Sequence, residues 1–545
     1  MSRRAQWLTL VAMTIANSMI LVDQTAVPLA TPDAVSGLGA SLQSGQWILA
    51  ANVLPLAALM VFGGRIGDQL GLRKVFLAGT VLFSVSSALA GLAPTMGFLI
   101  AMRVSQGVGA ALMMPTTMAI VAFAFPEQDR GRALGLMAGA SAFFAALGPV
   151  LGGLITQYID WRAVFWINVP LAIITALLTI SSTPSIAPRA TSRGIDFPGL
   201  VTFALGIGAL TLGLGQGTAW GWTSAKTLGT VAIGLASLVA FALIDRHRED
   251  ALIRLSLFRH KNFAAANISQ VIAGMVELGS AFLLPYFLLL TVGLSPGTAG
   301  LALIPATIPI IVVAPLAGRW FDRSGGRAPL VVGFLVLATS GFALAIGFGQ
   351  ESVIGLVPGL VLQGIGLGIV LTVNDPTGIN AVPDDVRGQA SGVIDTSEQF
   401  GGAIGIALMT ALFLQYYFSR FFELLTERGI HPTASQNDRA AEFVMRAEQE
   451  GLEQVRPPRF LGDVLGDFRD AHVAGYRFVF VLAGILALVG AVVSFFLVRR
   501  DDRAFRHHRV FSRRSRWAWA GSGVGPGLTR KEEPAGVPDA DALAD

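Results

Sequence analysis

The sequence predicts an all-α, multi-pass membrane protein of fourteen helices, arranged as six plus two plus six. Three observations predict it. The 545 residues are 53% hydrophobic and only 14% charged, against about 25% charged in a soluble globular chain. Apolar runs long enough to cross a bilayer, roughly 20 residues each, recur from one end to the other. A glycine-rich block, "GGRIGDQLG" at 63–71, also returns as "AGRWFDRSGG" at 317–326.

The first run, near 6–30, follows Met1-Ser2-Arg3-Arg4 and so begins like a signal peptide. It is too long for one and lacks a small-residue cleavage site, so it reads as an uncleaved first helix. Spans near 45–66, 74–93, 97–124, 131–157 and 162–182 complete a first bundle, 1–182. Two added spans near 197–217 and 226–244 occupy 183–250. Six more near 262–292, 296–320, 327–349, 352–381, 388–417 and 475–498 form a second bundle, 251–498, with a long loop at 418–473. A basic tail, 499–545, ends the chain.

Lysine and arginine in short loops set orientation. The short loops on one side hold Arg65, Arg73, Lys74, Arg130, Arg132, Arg189, Arg193, Arg246, Arg248, Arg254, Arg259, Lys261, Arg319, Arg323, Arg327 and Arg387. The opposite side holds only Arg162 and Lys226. The expectation is a cell (inner or plasma) membrane protein with both termini cytoplasmic and 418–473 outside. That loop is rich in Glu and Arg with helical apolar spacing. It reads either as a solvated cap or as a docking site for an accessory protein.

In the repeat, Gly64, Arg65, Asp68, Gly71 and Arg73 match Gly318, Arg319, Asp322, Gly325 and Arg327, each 254 residues later. Arg130, Gly131, Ala133, Gly135 and Gly148 match Arg387, Gly388, Ala390, Gly392 and Gly405, each 257 residues later. Two unrelated loops recurring in the same order indicate an internal duplication. The bundles are then related by a pseudo-two-fold axis along the membrane normal, as in transporters that rock two halves around a central site. Arg65 and Asp68 lie three apart at a helix end, and Gly71 permits the φ > 0 of a sharp loop. Gly64, Arg65, Asp68, Gly71, Arg73, Arg319 and Asp322 form a candidate latch, made in one conformation and broken in the other.

Absences narrow the class further. There is no cysteine, hence no disulfide, thiolate chemistry or cysteine metal site. No Gly-x-x-x-x-Gly-Lys-Ser/Thr loop is present, against ATP-driven pumping. The six histidines read as lying in loops, at helix edges or in the tail, with no metal-like cluster. A net charge of +4 gives no case for nucleic acid. The chain reads as neither an enzyme nor a cofactor or metal protein; its surroundings are the lipid bilayer.

The block at 63–74 resembles the Gly-x-x-x-Asp-x-x-Gly-Arg-Lys signature that follows the second helix in the major facilitator superfamily. "RVSQGVGAA" at 103–111 is similar to its fourth-helix Arg-x-x-Gln-Gly-x-Gly motif. "LGPVLGG" at 147–153 resembles the fifth-helix antiporter motif, which places a helix bend at Gly148, Pro149, Gly152 and Gly153. "WRAVFWINVP" at 161–170 and "LVDQTAVPLATP" at 21–32 are similar to marks of the fourteen-span drug:proton antiporter branch. Phe144 and Pro28 depart from the usual Gly and Asn of these motifs. The resemblance implies the major facilitator fold and a functional acid on helix 1 with an arginine on helix 4.

Charges inside the membrane are informative because each costs about 2.5–3.5 kcal/mol at a helix centre. Asp23 and Arg103 fall at matching depths on helices 1 and 4, as a functional pair or a static one. Glu277 sits mid-helix with Gln270 and Gly274 on its face and no basic partner in sequence, which suits a group that binds and releases a proton. Asp395 and Glu398 lie three apart on helix 13 beside Gln399. Asp375, next to Pro376, reads as a helix-break cap. Candidate cavity aromatics are Phe143, Phe144, Phe282 and Tyr286. Candidate polar points are Asn17, Gln24, Asn267, Gln363 and Gln399. The expected function is proton-coupled export of amphipathic, cationic small molecules such as drugs or dyes. Protons arriving from outside would displace the cation outward. A transporter of membrane lipids or of a self-made metabolite is the alternative.

Overall fold

Fourteen helices long and apolar enough to span a membrane occur among the described residues, and no strand does. The computed structural model describes residues 1–184, 196–246, 253, 255–383, 386–430 and 465–499. The middle of the loop at 418–473 and the tail from 500 lie outside the described residues. The first bundle comprises α1 (Arg3–Gly37), α2 (Leu42–Leu70), α3 (Leu72–Gly91), α4 (Met96–Ala124), α5 (Glu127–Tyr158) and α6 (Ala163–Trp166, then Asn168–Ser182). The added pair is α7 (Phe197–Gly215) and α8 (Ala225–Arg246). The second bundle comprises α9 (Lys261–Tyr286, continued by a π turn over Phe287–Thr291), α10 (Pro296–Ala302, then Ile304–Ser324), α11 (Arg327–Phe348), α12 (Val353–Ile379), α13 (Arg387–Glu427) and α14 (Leu465–Leu497). An even number of spans brings Arg3 and Leu497 to one face, called here the terminal face. The opposite one is the far face.

Helix starts follow local chemistry. At the far face Ser41, Thr95 and Ser352 each accept the backbone N–H three residues on, from Ser44, Phe98 and Gly355, relieving one of the orphan donors of a first turn. Proline is frequent inside the spans, at Pro28, Pro32, Pro55, Pro115, Pro149, Pro285, Pro309, Pro315, Pro358 and Pro376. Membrane helices tolerate this where neighbours satisfy the freed carbonyls.

The two bundles repeat one packing scheme: α1 lies on α5, α2 and α3 on α4, as α9 lies on α13, α10 and α11 on α12. Close approach needs glycine at equivalent places. A Cβ on Gly107 would stand 2.2 Å from the Asn52 carbonyl oxygen of α2, and one on Gly364, 257 residues later, 2.2 Å from the Ala306 carbonyl oxygen of α10. Small residues at such crossings let backbones touch where lipid leaves no hydrophobic drive for association.

Two features differ from the sequence expectation. Helices α13 and α14 run at the far face well beyond the expected spans at 388–417 and 475–498, where Tyr417, Phe421 and Leu425 of one pack against Phe468 and Ala471 of the other. An Arg428–Asp467 ion pair at 3.0 Å closes the end of this stem. His472 is not at a loop or helix edge. It is buried inside α14, its Nδ1 2.7 Å from Thr291 Oγ1 and its ring among Phe413, Tyr417 and Tyr476.

Candidate transport path

In the first bundle, Asp23 of α1 and Arg103 of α4 meet at 2.6 Å, each nearly devoid of exposed surface. The arginine also donates Nε–H to the Ile48 carbonyl of α2 at 2.7 Å and Nη1–H to Gln106 Oε1 at 2.8 Å. The second carboxylate oxygen of Asp23 accepts from Gln106 at 3.0 Å and from Asn168 of α6 at 3.1 Å. Ser87 of α3 holds both amides, at 3.4 Å from Gln106 and 3.0 Å from Asn168. Every helix of this bundle except α5 thus has a group in the network, and both oxygens of the acid are occupied. Sequence reasoning quoted Gln106 and Asn168 within motifs without giving them this task, and it missed Ser87.

The second bundle is the opposite case. Glu277 of α9, Asp375 of α12 and Asp395 of α13 each lie within electrostatic reach of another acid, Glu398 being common to all three. None of the four joins an ion pair among the described residues. Glu277 Oε2 and Asp375 Oδ1 are buried without a hydrogen-bond partner. Among the described residues Glu398 alone of the four is hydrogen-bonded: Gln270 donates to it. Asn374 donates to Gln270 and, at 2.8 Å, to the Ala266 carbonyl, while accepting from Ser269 at 2.6 Å. Because a carbonyl can only accept, Ala266 fixes which end of Asn374 carries the NH2. Asn374 in turn fixes Gln270, so Gln270 presents a donor to Glu398. The cap role expected for Asp375 is corrected here. Pro376 does not break α12, so Asp375 stays inside the helix and joins the cluster.

Of the expected cavity residues, Gln24 and Gln399 bond to each other at 3.1 Å across the two bundles. Asn267 is pinned between α9 and α13, accepting from Ser397 at 2.8 Å. Asn17 and Gln363 are buried, the former with Oδ1 unpaired. Phe282 and Tyr286 do not line an opening in this conformation. They pack against each other in the core, 5.0 Å between ring centroids, the ordinary fate of aromatics in an apolar helix. Phe143 and Phe144 are instead exposed on α5.

The stretch Gly148–Gly153 lies where α5 meets both α1 and α10. Pro149 has no N–H, which frees the Ala145 carbonyl, and the Thr25 hydroxyl of α1 stands 2.9 Å from it. Added Cβ atoms on Gly148 and Gly152 would run into Thr25 and the Ala26 carbonyl, and one on Gly153 would come 2.2 Å from the Pro296 carbonyl oxygen of α10. Gly300 approaches Pro149 just as closely, and Gln157 accepts from Ser295 and from the Gly297 N–H at 2.8 Å. The α5–α10 seam is therefore shut at the far face. Toward the terminal face, Gly135 and Gly139 of α5 have open space around them, and Val312 and Leu316 of α10 are exposed.

At the candidate latch, Gly71 turns the chain at φ 100° and Gly325 at φ 74°. Arg65 and Asp68 both engage other groups, Gly64 abuts Pro115, and Arg73 donates to the Ile180 carbonyl at 2.9 Å. Arg319 and Asp322, their counterparts, are exposed. The two copies thus differ in burial, the first being half-buried and the second exposed.

The family model for the Major Facilitator Superfamily matches residues 12–406. The chain belongs to that superfamily. It is 31% identical over 507 residues to the tetracenomycin C resistance and export protein of Streptomyces glaucescens, covering 92% of this chain and 94% of that one. It is also 31% identical over 447 residues to the multidrug resistance protein Stp of Mycobacterium tuberculosis (strain CDC 1551 / Oshkosh), covering 81% and 82%. Its fold matches a bacterial homologue of the human lysosomal transporter Spinster, solved in an inward-facing, occupied conformation, with a TM-score of 0.64 at 16% identity over 92% of this chain and 99% of that one. The protein is accordingly a multi-pass membrane transporter of the superfamily, with relatives that export antibiotics and other drugs.

Proposed function

We propose that this protein is a proton-coupled antiporter that exports amphipathic, cationic small molecules across the cell membrane by alternating access. Both termini, and hence the terminal face, are cytoplasmic, in keeping with the arginine-rich short loops on that side. The observation that carries the reading is the contrast between the bundles. Asp23 has a full set of donors and a paired arginine, while Glu277, Asp375, Asp395 and Glu398 gather in the second bundle with no ion pair among the described residues. Half-buried acids with no counter-charge among the described residues favour binding a cation, either a proton or a positively charged substrate, and the two compete for the same oxygens. The relatives named for drug resistance and export support a drug-like small molecule as the cargo. In this reading the N-terminal ion pair holds the scaffold and the proton is handled by the C-terminal cluster.

Uptake of a fluorescent lipophilic cation into proteoliposomes with an acidic interior tests it. Uptake that requires the gradient and disappears in Glu277→Gln supports antiport through the cluster. Gradient-independent uptake in the unaltered protein rejects proton coupling.

A further inference from the structure

Gln24 follows Asp23 on α1, and Gln399 follows Glu398 on α13. Gln24 Nε2 donates to Gln399 Oε1 at 3.1 Å, and the two residues are 6% and 3% exposed. Each glutamine is rooted in its own bundle through the acid before it. Asp23 is fastened to α4 and α6 by Arg103, Gln106 and Asn168. Glu398 is fastened to α9 by Gln270 and, through Asn374, to α12. One carboxamide bond therefore closes a polar line that runs α4–α1–α13–α9–α12 across the molecule.

We propose that Gln24 and Gln399 are a clasp, a positioning pair that holds the bundles together in the far-face-closed conformation and must part for the far face to open. The proposal rests on the alternating-access reading. In this reading, rocking of one bundle against the other moves α1 relative to α13, and the bond is made in the conformation described here and lost in the other. A neutral amide pair nets about 0.5–1.5 kcal/mol, enough to bias the equilibrium severalfold and weak enough to break in every cycle. Glu398 is covalently next to the clasp, so a proton or cation taken up there acts on it through a single residue of α13 backbone.

The chain contains no cysteine, so Ala299→Cys introduces its only thiol, on the far-face stretch of α10 that packs against α5 and at a position with no exposed surface in this conformation. The rate at which a membrane-impermeant maleimide labels this thiol in proteoliposomes reports opening of the seam. Gln24→Leu or Gln399→Leu, placed in that background, should each raise the rate about fivefold, the equivalent of about 1 kcal/mol. The double variant should rise no further, because both substitutions remove the same bond. Unchanged rates, or effects of the two substitutions that multiply, overturn the proposal. Gln24→Met and Gln399→Met, closer in shape, repeat the comparison if the leucine variants do not elute as folded protein. If labelling responds as described while cation uptake ignores the pH gradient, the clasp stands and proton coupling fails.

Discussion

Asp23 and Glu277 carry the same chemical group in opposite surroundings, and the difference predicts opposite consequences of neutralising them. Asp23→Asn leaves the Arg103 guanidinium buried with no counter-charge. Removing one member of a buried pair costs about 3–5 kcal/mol, so the variant should show a lower Tm in detergent and a lower folded yield. Glu277→Gln deletes a charge that has no partner and keeps the shape, so its Tm should stay close to that of the unaltered protein while gradient-driven uptake is lost. An equal fall in Tm for the two would make Glu277 a structural group. At this scale the sequence was partly legible. The acids and the arginine stand out because charge in an apolar helix is costly. The amides that hold them do not, because Asn and Gln acquire a role only when α3, α4 and α6, or α9 and α12, come together. Asp375 was misread for a different reason: proline breaks helices in water, but in the membrane Pro376 is absorbed within α12.

Single helices show where local chemistry depends on a neighbour. Pro149 leaves the Ala145 carbonyl without its intrahelical donor, and Thr25 stands in from α1. Thr25→Val keeps the shape and removes the hydroxyl, leaving this part-buried acceptor without that donor at a cost of about 0.5–1.5 kcal/mol. Thr25→Ser should recover most of the loss, as read by thermal unfolding. The crossing glycines give a paired prediction. Gly107→Ala and Gly364→Ala each push a methyl group into a facing carbonyl, so both should lower Tm steeply and by comparable amounts if the duplicated crossings are mechanically equivalent. Gly135→Ala, with nothing within 4 Å of the new atom, should instead stabilise by about 0.5–1 kcal/mol through helix propensity. Span positions could be read from hydropathy alone, since twenty apolar residues leave few alternatives. The stem beyond the expected spans could not. Its cluster joins Phe421 to Phe468 across the long loop, and each strip on its own looks amphipathic and solvated.

For the whole molecule, the duplication was readable from matched offsets, but the place of the added helices was not. Helix α7 packs against both bundles, on α2 and on α13. At the far face Gln46 of α2 donates to the Gly215 carbonyl at 3.3 Å, and Thr218, just after α7, donates to the Ala411 carbonyl of α13 at 2.8 Å. Toward the terminal face Leu200 shares an apolar cluster with Val386, Ala390 and Val393, against which Leu59 and Phe62 of α2 pack. The α2–α13 seam is thus strapped along its length, while the α5–α10 seam is tight only at the far face. Such a molecule should open by parting α5 from α10, with α7 serving as the hinge side. A short bis-thiosulfonate bridge tests this in a chain that has no cysteine of its own. Bridging Gln157→Cys to Ser295→Cys across the α5–α10 seam should arrest transport, and reduction should restore it. Bridging Thr218→Cys to Ala411→Cys, between α7 and α13, should leave most of the transport rate intact, because neither side of a hinge has to separate. Arrest by the second bridge as complete as by the first would mean that α7 leaves α13 in each cycle, and the strap would then be a second gate.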